Sequence, residues 1–317
     1  MDPLGDFLEK KEPWYELPTP LAIPALIAIR DELRAKNLHD TEEPPLAKRD
    51  EKQPLPPNVK EQRSEDGSYN DLTYPQMGAE NRRFGRNFPL ENILPDKANL
   101  MNPNPREISQ KLLARTEFKP ATIINLLAAA WIQFMVHDWF AHKTSASKKL
   151  EIPIGNADPW PEKPMKVDAT VVDPAPAGSK HPPAYANENT HWWDASQLYG
   201  CDDATCSDIR THADGLLRVS PEGRIPVNPQ TGLEITGFTD NNWIGLSMLH
   251  GLFALEHNAI CAMLKQKHSD WIDEQLFQKA RLINTAVLAK IHTVEWTPAI
   301  VPHPTVKLAM HTNWFGI

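Results

Sequence analysis

The chain has 317 residues and a mass of 35.8 kDa, long for one compact domain and short for two. Its net charge of −8 and pI near 5.8 argue against a general nucleic-acid binder, which needs a basic face. Three cysteines (Cys201, Cys206, Cys261) exclude a disulfide scaffold, and no CxxC pair offers a zinc site. A hydrophobic share of 41% is enough to bury a sizeable core. The unusual feature is proline: 30 of them, about twice the usual share, against only 14 glycines.

In chain order, residues 1–20 carry acids and prolines rather than a basic start and an apolar core, so no secretory signal is read there. Residues 20–37 (PLAIPALIAIRDELRAKN) are apolar first and charged afterwards. They read as a helix packed on the body, or as a surface helix dipping into a membrane face, a short run that Pro24 interrupts. No apolar run approaches the ~20 residues of a spanning helix. Residues 31–67 mix charge with proline and lack an apolar period, the mark of an extended arm. Residues 1–74 are therefore set apart from a body at 75–317. Two windows lack proline, 121–152 and 230–297, and these are where long helices can run. Between them, residues 153–183 read as a proline-rich surface loop. The expected architecture is a mainly α body with long proline-rich loops.

Residues 123–142 carry the densest chemical signal. The segment is apolar almost all round, so it is expected to be a central buried helix. Gln133 and His137 are four apart and share one face, while Asp138 points about 100° away around the axis. Burying an amide, an imidazole and a carboxylate in one helix is costly unless each finds a partner. A lone histidine would be read as a core residue satisfied by a carbonyl; three polar groups within two turns suggest two sites back to back. Downstream, Thr190, Asp194 and Ser196 stand at even spacing, and with the Trp192 carbonyl they make an oxygen set of the kind Ca²⁺ prefers. A spare carboxylate at Asp138 would complete it. Residues 243–265 and 280–299 are two further helices. The Glu256–His257–Asn258 notch in the first reads as structural. In the second, His292 and Thr297 form either a core pair or a pocket for an anion.

WIQFMVHDWFAH, FGRN at 84–87, ENTHWWDASQLYG, ITGFTDNNWIGLS, LFALEHN and AKIHTVEWT together resemble the peroxidase–cyclooxygenase superfamily of haem proteins, and within it the fatty-acid α-dioxygenases. The likeness runs in consistent order over roughly residues 75–317. It implies that His137 is the distal histidine above haem b, acting as acid and base toward peroxide, with Gln133 hydrogen-bonding ligands in the distal pocket. It implies Ca²⁺ held by Asp138, Thr190, the Trp192 carbonyl, Asp194 and Ser196. His292 and Thr297 match positions that hold the fatty-acid carboxylate. In that family a haem-generated tyrosyl radical removes hydrogen beside the carboxylate, and O₂ adds there to give a 2-hydroperoxy acid. The resemblance places the proximal histidine in a Tyr-Arg-x-His segment that this sequence does not contain, and no other histidine stands in that context. Asp240 also occupies a place where plant relatives carry Arg.

The sequence-level expectation is thus the distal, N-terminal half of a haem- and calcium-dependent oxidoreductase acting on a fatty acid with O₂, completed by a missing C-terminal half. The alternatives are a haem peroxidase using H₂O₂ on small donors, and a non-catalytic remnant. No GxxxxGK[ST], GxSxG or HExxH motif points to a kinase, serine hydrolase or metalloprotease. Free cysteines and the absent signal imply the cytoplasm, with a membrane-surface contact through residues 20–37.

Overall fold

The proline-free windows supply the helical core. The computed structural model describes residues 13–42, 44–88, 100–173 and 182–316. The first residues of the arm (1–12) and residues 174–181 of the proline-rich loop lie outside the described residues. Helix α1 is Thr19–Asn37, α2 Leu126–Trp139, α3 Ile244–Lys267, α4 Asp273–Lys290 and α5 Pro304–Phe315. α4 runs directly into a π-helical segment, Ile291–Trp296, and then a final turn, Thr297–Ile300. α3 packs on both α2 and α4. The body is mainly α, as the proline distribution implies.

Asn125 starts α2: its side-chain oxygen accepts from the Leu127 N–H at 3.0 Å and satisfies one free donor of the first turn. Phe134 and Met135 are wholly buried and pack with Leu246, Leu249 and Phe253 of α3 and Phe277 and Leu288 of α4. The helix is shorter than 123–142, because the backbone becomes extended at Phe140. Strand β1 (Thr144–Ile152) follows and pairs antiparallel with β2 (Met165–Thr170). The end of the first proline-free window is therefore a strand rather than helix, and it pairs with β2 from inside the proline-rich loop to make an exposed hairpin. β2 does alternate, with Met165, Val167 and Ala169 between Lys166, Asp168 and Thr170, but the run is six residues long and β1 is mostly polar and exposed, so the signal is short.

α1 matches the helix read at residues 20–37 and takes residues 31–37 out of the extended arm that the composition also suggested there. It tolerates Pro24 inside the helix and buries Ala22, Ala25 and Ala28. α1 packs against α5, where the His303 Nε2 lies 3.0 Å from the Tyr15 carbonyl. The helix expected at 280–299 is instead α4, the π turn and a last α turn in succession. Pro298 sits in the first turn of Thr297–Ile300, where a missing N–H costs nothing. No helix among the described residues is long and apolar enough to cross a membrane.

The polar notch in α3 is structural, as expected. Asn258 both donates to and accepts from the Leu217 backbone. His257 is fully buried, and its Nε2 donates to the Gly215 carbonyl at 2.9 Å. That bond leaves Nδ1 as the acceptor for the Tyr199 hydroxyl, also at 2.9 Å, and Asn284 donates to the Tyr199 oxygen. Burial pushes His257 down to about 4, so it stays neutral. Below its free value of 6.5 the unfolded chain takes up a proton that the folded chain refuses until about pH 4. Stability conferred by neutral His257 is therefore lost as pH falls through that window, at up to about 1.4 kcal/mol per unit. In urea titrations, His257→Gln is expected to show a shallower loss of stability from pH 6.5 to 4 than the unmodified chain; equal slopes would count against this network.

Candidate functional site

α2 presents its polar groups in opposite directions. His137 is 6% exposed and meets the edge of the Phe238 ring, centroids 4.8 Å apart. Its Nδ1 has no hydrogen-bond partner. Burial, reinforced by His250 and opposed by Asp240, lowers its pKa, so the ring is neutral at neutral pH and can accept a proton. Gln133, one turn back, is half-buried. Its Oε1 accepts from the Trp243 indole at 2.8 Å and its Nε2 donates to the Asn241 carbonyl at 3.2 Å. The amide is thus oriented by the segment that leads into α3.

On the other side, Asp138 is 1% exposed, and its Oδ1 accepts from the Ser196 N–H at 2.7 Å. Its Oδ2 and the Ser196 hydroxyl are buried without a hydrogen-bond partner. Burial, added to by the neighbouring Asp194 charge, pushes the Asp138 carboxyl up to about 8, against the pull of the Ser196 and Ala195 N–H groups. Asp194 is equally buried, and its Oδ2 accepts from the Thr190 hydroxyl at 2.8 Å. The loop carrying these oxygens is tied to the end of α2 by two buried asparagines. Asn187 accepts from the Ala141 N–H at 2.7 Å and donates to the Trp139 carbonyl, and Asn189 donates to the His137 carbonyl at 2.6 Å. Thr190, Asp194, Ser196 and Asp138 are therefore brought together. Trp192 stands in the same loop, with its indole donating to the Met77 carbonyl.

His292 and Thr297 lie at the other end of the core. The π-helical turn makes a spacing of five residues one full turn, and the Thr297 hydroxyl donates to the His292 carbonyl at 2.8 Å. Four indoles surround the His292 ring: Trp131, Trp139, Trp193 and Trp296, with centroids 5.0–6.5 Å away. The Trp131 Nε1–H can only donate, so at 3.3 Å it makes His292 Nδ1 the acceptor. The proton then sits on Nε2, which is available as a donor, while burial disfavours the imidazolium. Trp131 and Trp296 also wall an apolar cavity of about 790 Å³, lined further by Leu127, Met248, Leu252 and Ile300.

Other histidines are committed elsewhere. His303 accepts from the Thr305 N–H through Nδ1 and faces the Tyr15 carbonyl through Nε2, and His311 packs beside Phe315. The sequence reading did not single out Asn187, Asn189, Phe238 or Arg63, whose Nε lies 2.6 Å from Asp194 Oδ1. It also missed His250, fully buried with both ring nitrogens unbonded and Glu234 at 3.7 Å. Among the described residues, no three or more His, Cys, Asp or Glu side chains converge to hold a metal. The loop beside α2 offers two carboxylates and two hydroxyls instead.

Known proteins share this fold. The sequence profile described as animal haem peroxidase matches residues 62–317, and the chain belongs to that family of oxidoreductases. It is 34% identical to the alpha-dioxygenase PIOX of Oryza sativa subsp. japonica over 312 residues, covering 98% of this chain and 49% of that protein. The crystal structure of the Arabidopsis thaliana fatty acid alpha-dioxygenase superposes with a TM-score of 0.88 at 33% identity, covering 98% of this chain and 48% of that one. A variant of the Oryza sativa fatty acid alpha-dioxygenase with palmitic acid superposes at 0.85 and 34% identity, covering 98% of this chain and 50% of that one. The chain spans about half the length of these relatives.

Trp131→Phe removes the donor to His292 while keeping an aromatic ring, at a packing cost below the ~3–5 kcal/mol of truncation to alanine. In ¹H–¹⁵N correlation spectra the unmodified chain is expected to show His292 predominantly in the Nε2–H form, and the variant a mixture of both tautomers. An unchanged spectrum would refute the tautomer assignment.

Proposed function

We propose that this chain is the distal half of a haem-dependent fatty-acid α-dioxygenase, inserting O₂ at the carbon next to the carboxylate. The observation that carries this reading over a peroxidase of small donors is the apolar cavity of about 790 Å³ that shares Trp131 and Trp296 with His292. An apolar cavity that shares two indole walls with a hydrogen-bonding histidine suits a carboxylate with an alkyl chain. In this account His292 Nε2–H binds the carboxylate, Thr297 fixes the π turn that carries it, and the cavity walls take the chain.

The residues around His137 fit haem: a neutral, buried imidazole with an unbonded nitrogen, next to an oriented glutamine. When bound, haem supplies the one-electron oxidising chemistry. Beside a bound haem, the neutral His137 imidazole would be the group able to accept a proton from a peroxide and give it back, and Gln133 would orient the ligand. A C-terminal half would have to supply the remaining haem-holding residue and the tyrosine of the proposed reaction. Leu126 of α2 and Ile244 of α3, outside that cavity's lining, are exposed and would offer that half an apolar seat.

The buried oxygen set also fits calcium. Asp138 Oδ2 and the Ser196 hydroxyl need a partner, and oxygen donors of this hardness suit Ca²⁺. Thr190, Asp194 and the Trp192 carbonyl complete the set. The cation would fix the last turn of α2 and with it His137. We place the protein in the cytoplasm, where its three cysteines remain free as they are in the fold. Exposed Leu21, Ile27 and Leu33 of α1 provide a membrane-surface contact.

The test is to co-express the chain with the C-terminal half of the Oryza sativa relative, reconstitute with haem and supply palmitate under O₂. A 2-hydroperoxy acid is expected, with His292→Ala abolishing that product but sparing peroxide consumption, and His137→Ala abolishing both. Oxidation of small donors by H₂O₂ without any product at C2 would favour a plain peroxidase. Absence of stoichiometric haem in the complex would favour a non-catalytic remnant.

A further inference from the structure

We infer that Arg63, from the N-terminal arm, is a built-in counter-charge of the cation loop, sharing Asp194 with the bound ion and holding the loop closed when the ion leaves. The inference rests on the calcium reading above. Asp194 has a fully buried side chain, with Oδ2 taken by the Thr190 hydroxyl and Oδ1 at 2.6 Å from Arg63 Nε. The contact is an ion pair by distance, without the aligned geometry of a hydrogen bond. Among the described residues, no cation lies within salt-bridge distance of Asp138, the other buried carboxyl group. The buried Asp194 carboxylate is thus served by one guanidinium, and a buried charge of this kind is costly without a counter-charge.

The arginine is held in place rather than draped over the surface. Arg281 of α4, itself 3% exposed, donates to the Arg63 carbonyl at 3.5 Å and to the Ser64 carbonyl at 3.3 Å. Gln278 bonds the Glu65 carboxylate at 2.9 Å, and the guanidinium lies 5.8 Å from the Trp192 ring centroid. The following chain closes on the loop so tightly that two positions need glycine. At Gly67, with φ of +76°, a Cβ would lie 2.8 Å from Thr190 Cβ. At Gly78, with φ of +68°, it would lie 2.7 Å from the Trp192 indole nitrogen. The Trp192 indole also bonds the Met77 carbonyl, and the Gly78 carbonyl accepts from the His191 N–H. The arm from Arg63 to Gly78 is thereby part of the loop's wall.

A guanidinium on one carboxylate oxygen repels a cation at the other, so Arg63 trades cation affinity for stability without the cation. Linkage then fixes the sign of both effects. Calorimetric Ca²⁺ titration of Arg63→Gln is expected to give a dissociation constant several-fold tighter than that of the unmodified chain. Its melting temperature should fall in chelator and recover most of that loss in saturating Ca²⁺, whereas Arg63→Lys should behave as the unmodified chain. An unchanged or weaker Ca²⁺ affinity, or an equal loss of melting temperature with and without Ca²⁺, would overturn the inference. So would Arg63→Lys behaving like Arg63→Gln, or an Arg63→Gln chain that fails to fold even in Ca²⁺. If the unmodified chain takes up no Ca²⁺, the calcium reading fails instead. Arg63 is then decided by a double-mutant cycle with Asp194→Asn in chelator: coupling in thermal stability supports the counter-charge, and additivity refutes it.

Discussion

The carboxylate of Asp138 sets the terms for everything around it. It leaves the last full turn of a helix that is otherwise apolar, is 1% exposed, and is met by the Ser196 backbone N–H on one oxygen only. A buried carboxylate of this kind demands partners, and the fold brings them from far along the chain. The loop at residues 187–196 is fastened to the end of α2 by Asn187 and Asn189, and its Asp194 is met in turn by Arg63. Elements separated by more than a hundred residues are thus held to one helix end by the need to satisfy one side chain and its neighbour.

That constraint determines where His137 stands. Consecutive residues on an α-helix diverge by about 100°, so anchoring Asp138 in the oxygen loop turns His137 toward Phe238 and His250. Burial keeps the imidazole neutral, and Gln133 is oriented through Trp243 and Asn241. The other end of the proposed site depends on a second local device. The π turn at residues 291–296 stacks Thr297 on His292, while Trp131 of α2 reaches across to fix the tautomer. The same helix therefore serves both ends of the site, with Trp131 at His292 and His137 a turn and a half later.

Much of this was legible in the sequence because helical periodicity is local. The shared face of Gln133 and His137, the opposed direction of Asp138, and the structural part played by His257 all follow from spacing and polarity inside an apolar run. The oxygens of Thr190, Asp194 and Ser196 were readable as a set for the same reason. Arg63 was not, since one arginine in a charged, proline-rich stretch carries no sign of a partner 131 positions away. Asn187 and Asn189 looked like turn residues, although they bond the backbone of a distant helix end. The β1–β2 hairpin pairs a mostly polar, exposed β1 with a β2 whose alternation spans only six residues, and the π turn depends on tertiary packing that no local spacing encodes.

The central claim, that α2 is anchored through a cation on one side so that it can present an acid–base histidine on the other, is tested most directly by crystallography in calcium-containing solution. The account predicts one ion, visible in anomalous difference density, bonded to Asp138, Thr190, Asp194, Ser196 and the Trp192 carbonyl, with His137 facing away from it. Density showing Asp138 and Ser196 satisfied by water or by each other, with no ion between them, would contradict it.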